Sequence, residues 1–128
     1  MDIMIIVYAV LAYFIGSIPS GLIIGKTFFN TDVRQYGSKN IGATNTYRVI
    51  GLKAALPVFL CDALKGAAGV VLLSSYGPMY MILGGILAMM GHNWSIFLGF
   101  KGGRGVATGL GVLIALSPLV ALIAFLVW

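Results

Sequence analysis

Four apolar runs, each about 20 residues long and separated by short polar connectors, constrain this chain more than any other feature. They cover Ile3–Ile24, Ala54–Leu73, Met79–Phe100 and Val106–Trp128. At roughly 1.5 Å per residue, a helix of that length crosses a hydrocarbon core of about 30 Å. The runs are continuous rather than alternating, which argues for helices and against the strands of a barrel. Of 128 residues, 60% are hydrophobic and 9% charged, too few polar groups to cover a surface facing water. In lipid the backbone must satisfy its own hydrogen bonds, as a helix does. The expected architecture is all-α: one polytopic transmembrane bundle over residues 1–128, with about four spans and short re-entrant or interfacial cytoplasmic loops.

The first run reads as a retained span rather than a cleaved leader. It has no basic flank, and it exceeds the roughly 7–15 apolar residues of a signal core. Its stretch Gly16-Ser17-Ile18-Pro19-Ser20-Gly21 predicts a kink or a close helix contact. The third run is interrupted by Gly91-His92-Asn93-Trp94-Ser95, so it reads either as one span or as a helix followed by a re-entrant piece. The fourth is broken at Ser117-Pro118 and reaches Trp128 without a polar flank, so the natural chain is expected to continue.

The net charge of +5 would suggest nucleic acid in a soluble protein. Here the cations occupy connectors, and the positive-inside rule accounts for them without any nucleic-acid partner. Lys26, Arg34, Lys39, Arg48 and Lys53 share the first long connector, and Lys101 and Arg104 return to its side after two crossings. The expected topology is therefore multi-pass, amino terminus outside, with both basic loops facing the cytoplasm. Cys61 is the one cysteine and His92 the one histidine, which leaves no cysteine- or histidine-rich metal site, and no cofactor is expected.

Two loops could carry chemistry. Residues Gly37-Ser38-Lys39-Asn40-Ile41-Gly42-Ala43-Thr44-Asn45-Thr46-Tyr47-Arg48 combine glycines that let backbone approach a ligand with the donors Ser38, Asn40, Thr44 and Asn45 and the cation Arg48. That set suits a phosphate. It equally suits a connector whose polar residues make turns and a helix cap. Lys101-Gly102-Gly103-Arg104-Gly105 opens the last run, where unpaired helix N–H groups favour an anion, or else it is a tight basic turn. Asp62 and Lys65, three apart within the second run, share a helical face and are read first as a mutually neutralising pair, with a proton relay or substrate contact as the sharper alternative. His92 is read as a buried, hydrogen-bonded side chain that orients the following loop, with general base as its alternative. There is no G-x-S-x-G elbow, no H-E-x-x-H and no Glu, with Asp2, Asp32 and Asp62 the only carboxylate side chains, so any chemistry must rest on positioning and cations.

Taken together, Gly16–Gly21, Gly37–Asn45 with Arg48, Asp62 with Lys65-Gly66, and Gly91-His92 leading to Phe100–Thr108 resemble the acyl-phosphate:glycerol-3-phosphate acyltransferase family of bacterial membranes, PlsY. The second and fourth stretches are the specific ones. The resemblance implies that Ser38 and Arg48 are needed for activity and that Gly102, Gly103 and Gly105 hold glycerol phosphate. It gives no cofactor, and it makes acyl phosphate, glycerol 3-phosphate and membrane lipid the partners. Where this chain has Arg104 the family commonly has lysine, a point donor in place of a planar fork. The family also has a third cytoplasmic motif with histidine, asparagine and glutamate. The chain ends before it, so the domain is expected to be incomplete at its C-terminus.

The implied reaction is attack of a glycerol 3-phosphate hydroxyl on the carbonyl of an acyl phosphate, giving lysophosphatidic acid and phosphate. Two rivals use the same residues: a small anion transporter with broken spans, and a non-catalytic anion-binding membrane fragment.

Overall fold

The computed structural model describes residues 2–127, and all regular structure among them is helical. Asp2 caps α1 (Ile3–Ser17) by accepting the Met4 N–H at 2.9 Å. The helix stops where Pro19 forces Ile18 into an extended conformation (φ −60°, ψ 116°). The chain restarts as α2 (Ser20–Phe29), bent by 43° from α1, so the kink expected between Gly16 and Gly21 is present. The second run forms α4 (Leu52–Leu72) and the third α5 (Pro78–Asn93). After α5 comes a short 3-10 turn at Ile96–Leu98, and Pro78–Leu98 together is apolar and long enough to be one span.

The fourth run is two helices, α6 (Val106–Leu116) and α7 (Pro118–Val127); Trp128 lies outside the described residues. Pro118 has no N–H to continue α6, and Ser117 is extended (φ −159°, ψ 100°). By length and composition, then, two described helices can cross a membrane unbroken and the bent α1–α2 pair makes a third, while α6 and α7 are each short. The connector Lys26–Lys53, expected as loop, holds a 3-10 turn at Val33–Gln35 and the helix α3 (Ala43–Val49). A polar helix of 7 residues has too few turns to display an apolar period, so nothing in the pattern announced it.

Helix α4 is central and touches α1, α2, α3, α5 and α6. Leu56, Leu60, Leu64 and Val71 form its exposed stripe, while Ala55, Val58, Asp62, Gly66 and Gly69 are buried against neighbours. This is the distribution lipid selects: large apolar side chains outward, small and polar ones inward. Small residues set the crossings. A Cβ at Gly16 would strike the Ala88 carbonyl, and one at Gly111 the Ala63 carbonyl. At the end of the bundle Tyr13 Oη donates to the Trp94 carbonyl (2.6 Å) and Ser95 Oγ to the Ser17 carbonyl (2.5 Å). These bonds pin the turn after α5 onto the α1–α2 break, and so fix where the glycine-rich loop begins.

Candidate functional site: a basic cavity at one end of the bundle

The connector before α4 is folded around one side chain. Asn45, 2% exposed on α3, accepts the Ser38 N–H at 2.9 Å and donates to the carbonyls of Val33 (3.0 Å), Tyr36 (3.2 Å) and Asn40 (2.8 Å). Gly37 takes φ +58° in this turn, and a Cβ there would strike Asn45 Oδ1. Asn40 Oδ1 accepts the Gly42 N–H at 2.8 Å, forming an Asx turn that leads into α3. The amide of Asn45, expected to serve a phosphate, is thus spent on backbone; it shapes the loop that presents Ser38 and Arg48.

The cations of the two loops differ in their partners. Arg34 forks onto Asp32 (Nε–Oδ1 3.1 Å, Nη2–Oδ2 2.9 Å), with Lys26 at 3.8 Å. The hydrogen bond from Arg34 holds the Asp32 carboxyl below the usual carboxylate range. Among the described residues no carboxylate pairs with Arg48, Lys101 or Arg104.

The glycine-rich loop folds over the end of α5. Gly103 N–H donates to the His92 carbonyl at 3.2 Å. A Cβ at Gly102 would strike that same carbonyl, and one at Gly103 would strike His92 Nε2. Gly105 caps α6 at φ +80°, packed on Asn93 Oδ1. These glycines admit protein against protein.

Beneath both loops lies a buried cluster. Asp62, Lys65 and His92 are 1%, 5% and 4% exposed. Lys65 Nζ lies 3.0 Å from Asp62 Oδ1, 2.8 Å from His92 Nδ1 and 3.0 Å from the Ile18 carbonyl. The Asp62 contact is an ion pair without a well-directed hydrogen bond, since Oδ1 is otherwise unpartnered. Charge is conserved within the cluster, as expected of Asp62 and Lys65.

A cavity of about 440 Å³ joins these parts. Its wall takes Ser38, Asn40, Gly42, Ala43, Thr44, Asn45 and Arg48 from the first loop, Arg104 and Gly105 from the second, and Asp62 and His92 from the bundle. Phe59, Val106 and Ala107 give it an apolar side. Lys101, Gly102, Gly103 and Lys65 are outside the wall, behind or beside it. Phe59, Val106 and Ala107 were not anticipated. Phe59 could have been, because it stands three residues before Asp62 and so shares its helical face.

Residues 6–128 match the family described as glycerol-3-phosphate acyltransferase. The chain belongs to the glycerol-3-phosphate acyltransferase family. It is 50% identical over 120 residues to glycerol-3-phosphate acyltransferase 2 of Moorella thermoacetica, covering 93% of this chain and 62% of that one. To the glycerol-3-phosphate acyltransferase of Fusobacterium nucleatum it is 49% identical over 118 residues, covering 91% and 61%. The glycerol 3-phosphate form of PlsY, an integral membrane glycerol 3-phosphate acyltransferase, superposes with a TM-score of 0.90 at 42% identity, over 97% of this chain and 63% of that one. The lysophosphatidic acid form of PlsY gives 0.86 at 41% identity. The chain thus spans about three fifths of the length of these relatives. An acyltransferase family built as a membrane bundle matches the all-helical, lipid-facing architecture of this chain.

Proposed function

We propose that this protein transfers an acyl group from acyl phosphate to glycerol 3-phosphate, yielding lysophosphatidic acid and inorganic phosphate for phospholipid synthesis. One observation carries the reading: Ser38 and Arg48 share a cavity with Arg104 and Gly105, although α4 and α5 lie between the two segments. Two cations that no carboxylate pairs with among the described residues face a space large enough for a phosphorylated substrate. The family and the named relatives supply the substrate class.

The chemistry needs no covalent enzyme intermediate. A glycerol 3-phosphate hydroxyl oxygen attacks the acyl carbonyl carbon, the bond from that carbon to the phosphate oxygen breaks, and an ester forms. The hydroxyl proton leaves on the departing phosphate. The protein's part is to hold two anions with the reacting atoms about 3–3.5 Å apart. Arg48 and Arg104 counter phosphate charge, Ser38, Asn40 and Thr44 orient it, and Lys101 adds positive potential from the loop. Asn45, Gly102 and Gly103 act through the shape of the two loops. Phe59, Val106 and Ala107 offer the acyl end an apolar wall.

The shared cavity puts both basic loops at one end of the bundle. With the positive-inside rule this supports an inner-membrane topology with that end cytoplasmic and the amino terminus outside. The test is lysophosphatidic acid formation from radiolabelled glycerol 3-phosphate in detergent, with acyl phosphate compared against acyl-CoA. Product from acyl phosphate alone is expected. Uptake in sealed vesicles without product would identify a transporter, and phosphate binding without product or uptake a non-catalytic anion binder.

A further inference from the structure

His92 was expected as a buried, hydrogen-bonded side chain that orients the following loop, or else as a general base; it is buried and hydrogen-bonded, and its surroundings argue against the base. Its Nδ1 faces the Lys65 ammonium at 2.8 Å. An ammonium has only donors, so Nδ1 must accept, and the ring proton of a neutral imidazole then resides on Nε2. Lys65 is held in turn by a hydrogen bond to the Ile18 carbonyl and by its ion pair with Asp62 Oδ1. The ring cannot pivot away without breaking this arrangement. At its other edge Nε2 has no hydrogen-bond partner among the described residues, and it abuts Gly103 at the margin of the cavity that His92 lines.

We propose that His92 is a catalytic residue of the cavity: a neutral imidazole fixed by Lys65 and Asp62, whose Nε2–H donates to an oxygen of the bound phosphate. The proposal rests on the reading of this cavity as a phosphate site. Lys65 and Asp62 are positioning residues, acting through the imidazole. A base would need a free nitrogen lone pair facing the substrate, and the lone pair here faces Lys65. The glycines of the second loop acquire a physical reason as well: any side chain at 103 would cover the donor.

The chain's one histidine makes the test direct. With 15N-labelled imidazole in detergent, the wild-type protein should show a protonated Nε2 and an unprotonated Nδ1. The Nε2 signal should move on titration with inorganic phosphate. A proton on Nδ1, or an Nε2 signal indifferent to phosphate, overturns the proposal. Lys65→Met should release the ring into a mixture of tautomers. In acyl transfer, His92→Leu should lower kcat/KM by about 100-fold, the scale of losing one donor to a developing charge. His92→Gln, which keeps an N–H near the same place, should stay within about tenfold of wild type. Equal losses in the two variants at wild-type thermal stability would also overturn it. If neither variant folds, the wild-type spectrum still decides. A wild-type protein that makes no lysophosphatidic acid while phosphate moves Nε2 would defeat the acyl-transfer reading and leave the donor standing.

Discussion

Lys65 Nζ lies 2.8 Å from His92 Nδ1, across the interface between α4 and α5, with Asp62 Oδ1 3.0 Å from the same ammonium. Two helices that lipid alone would hold loosely are thereby joined by a charged, hydrogen-bonded core directly under the site. In hydrocarbon this cluster is stable only as a set.

Removing one member should therefore cost more than removing two. Lys65→Met leaves Asp62 buried without its counterion and should lower stability by about 3–5 kcal/mol. The double substitution Lys65→Met with Asp62→Leu should recover most of that loss while remaining poorly active. Thermal unfolding in detergent reads the first effect and acyl transfer the second. A double variant less stable than Lys65→Met would contradict the neutralising role.

Arg48 and Ser38 stand on the loop side of the cavity, and among the described residues no carboxylate pairs with Arg48. Arg48→Ala and Ser38→Ala should each reduce turnover by about 100- to 1,000-fold. Neither residue is in a spanning helix, so membrane insertion and helix content by circular dichroism should be unchanged. Retained turnover would defeat the assignment.

Asn45 should behave as a structural centre of its loop. Asn45→Ala leaves one N–H and three carbonyls without their amide partner. The expected cost is about 1–3 kcal/mol of local stability. Asn45→Asp should be no better, because a carboxylate accepts from Ser38 but cannot donate to the carbonyls. Both should raise the KM for both substrates and quicken proteolysis between Val33 and Gly42. A pure loss of kcat with an intact loop would argue for direct substrate contact instead.

Gly102 and Gly103 should differ in whether they can be rescued. Gly103→Ala meets the His92 ring, whereas Gly102→Ala meets a backbone carbonyl. Adding His92→Ala should relieve the stability defect of Gly103→Ala and leave that of Gly102→Ala unchanged. The melting temperatures of these variants, with His92→Ala alone as the fifth, form the test, and strict additivity in both pairs would refute it.

Much of the architecture could be read along the chain. Each apolar run became helical, Pro19 and Pro118 broke helices where they stand, and the Asp62–Lys65 spacing foretold a buried pair. The site was legible in composition but not in assignment. Ser38, Asn45, Arg48 and Lys39 looked alike as loop donors and cations, yet Asn45 spends its amide on stapling the loop, Ser38 and Arg48 face the cavity beside it, and Lys39 takes up a left-handed turn at φ +64°. The glycines of the second loop were read as an anion-favouring helix start or a tight basic turn, and what the sequence did not show is that a Cβ on them would meet His92 and Asn93.

Hydropathy is a property of a residue and its near neighbours, so the sequence by itself determined that this is a bundle of membrane helices, with breaks at Pro19 and Pro118. Which polar groups remain free for a substrate depends on which others are consumed within the protein. The partner of His92 lies 27 residues away and that of Ser95 lies 78 residues away, and no local period encodes such pairings. Only the packing of α1, α4 and α5 brought those groups within bonding distance, and with that it decided which side chains were left facing the cavity.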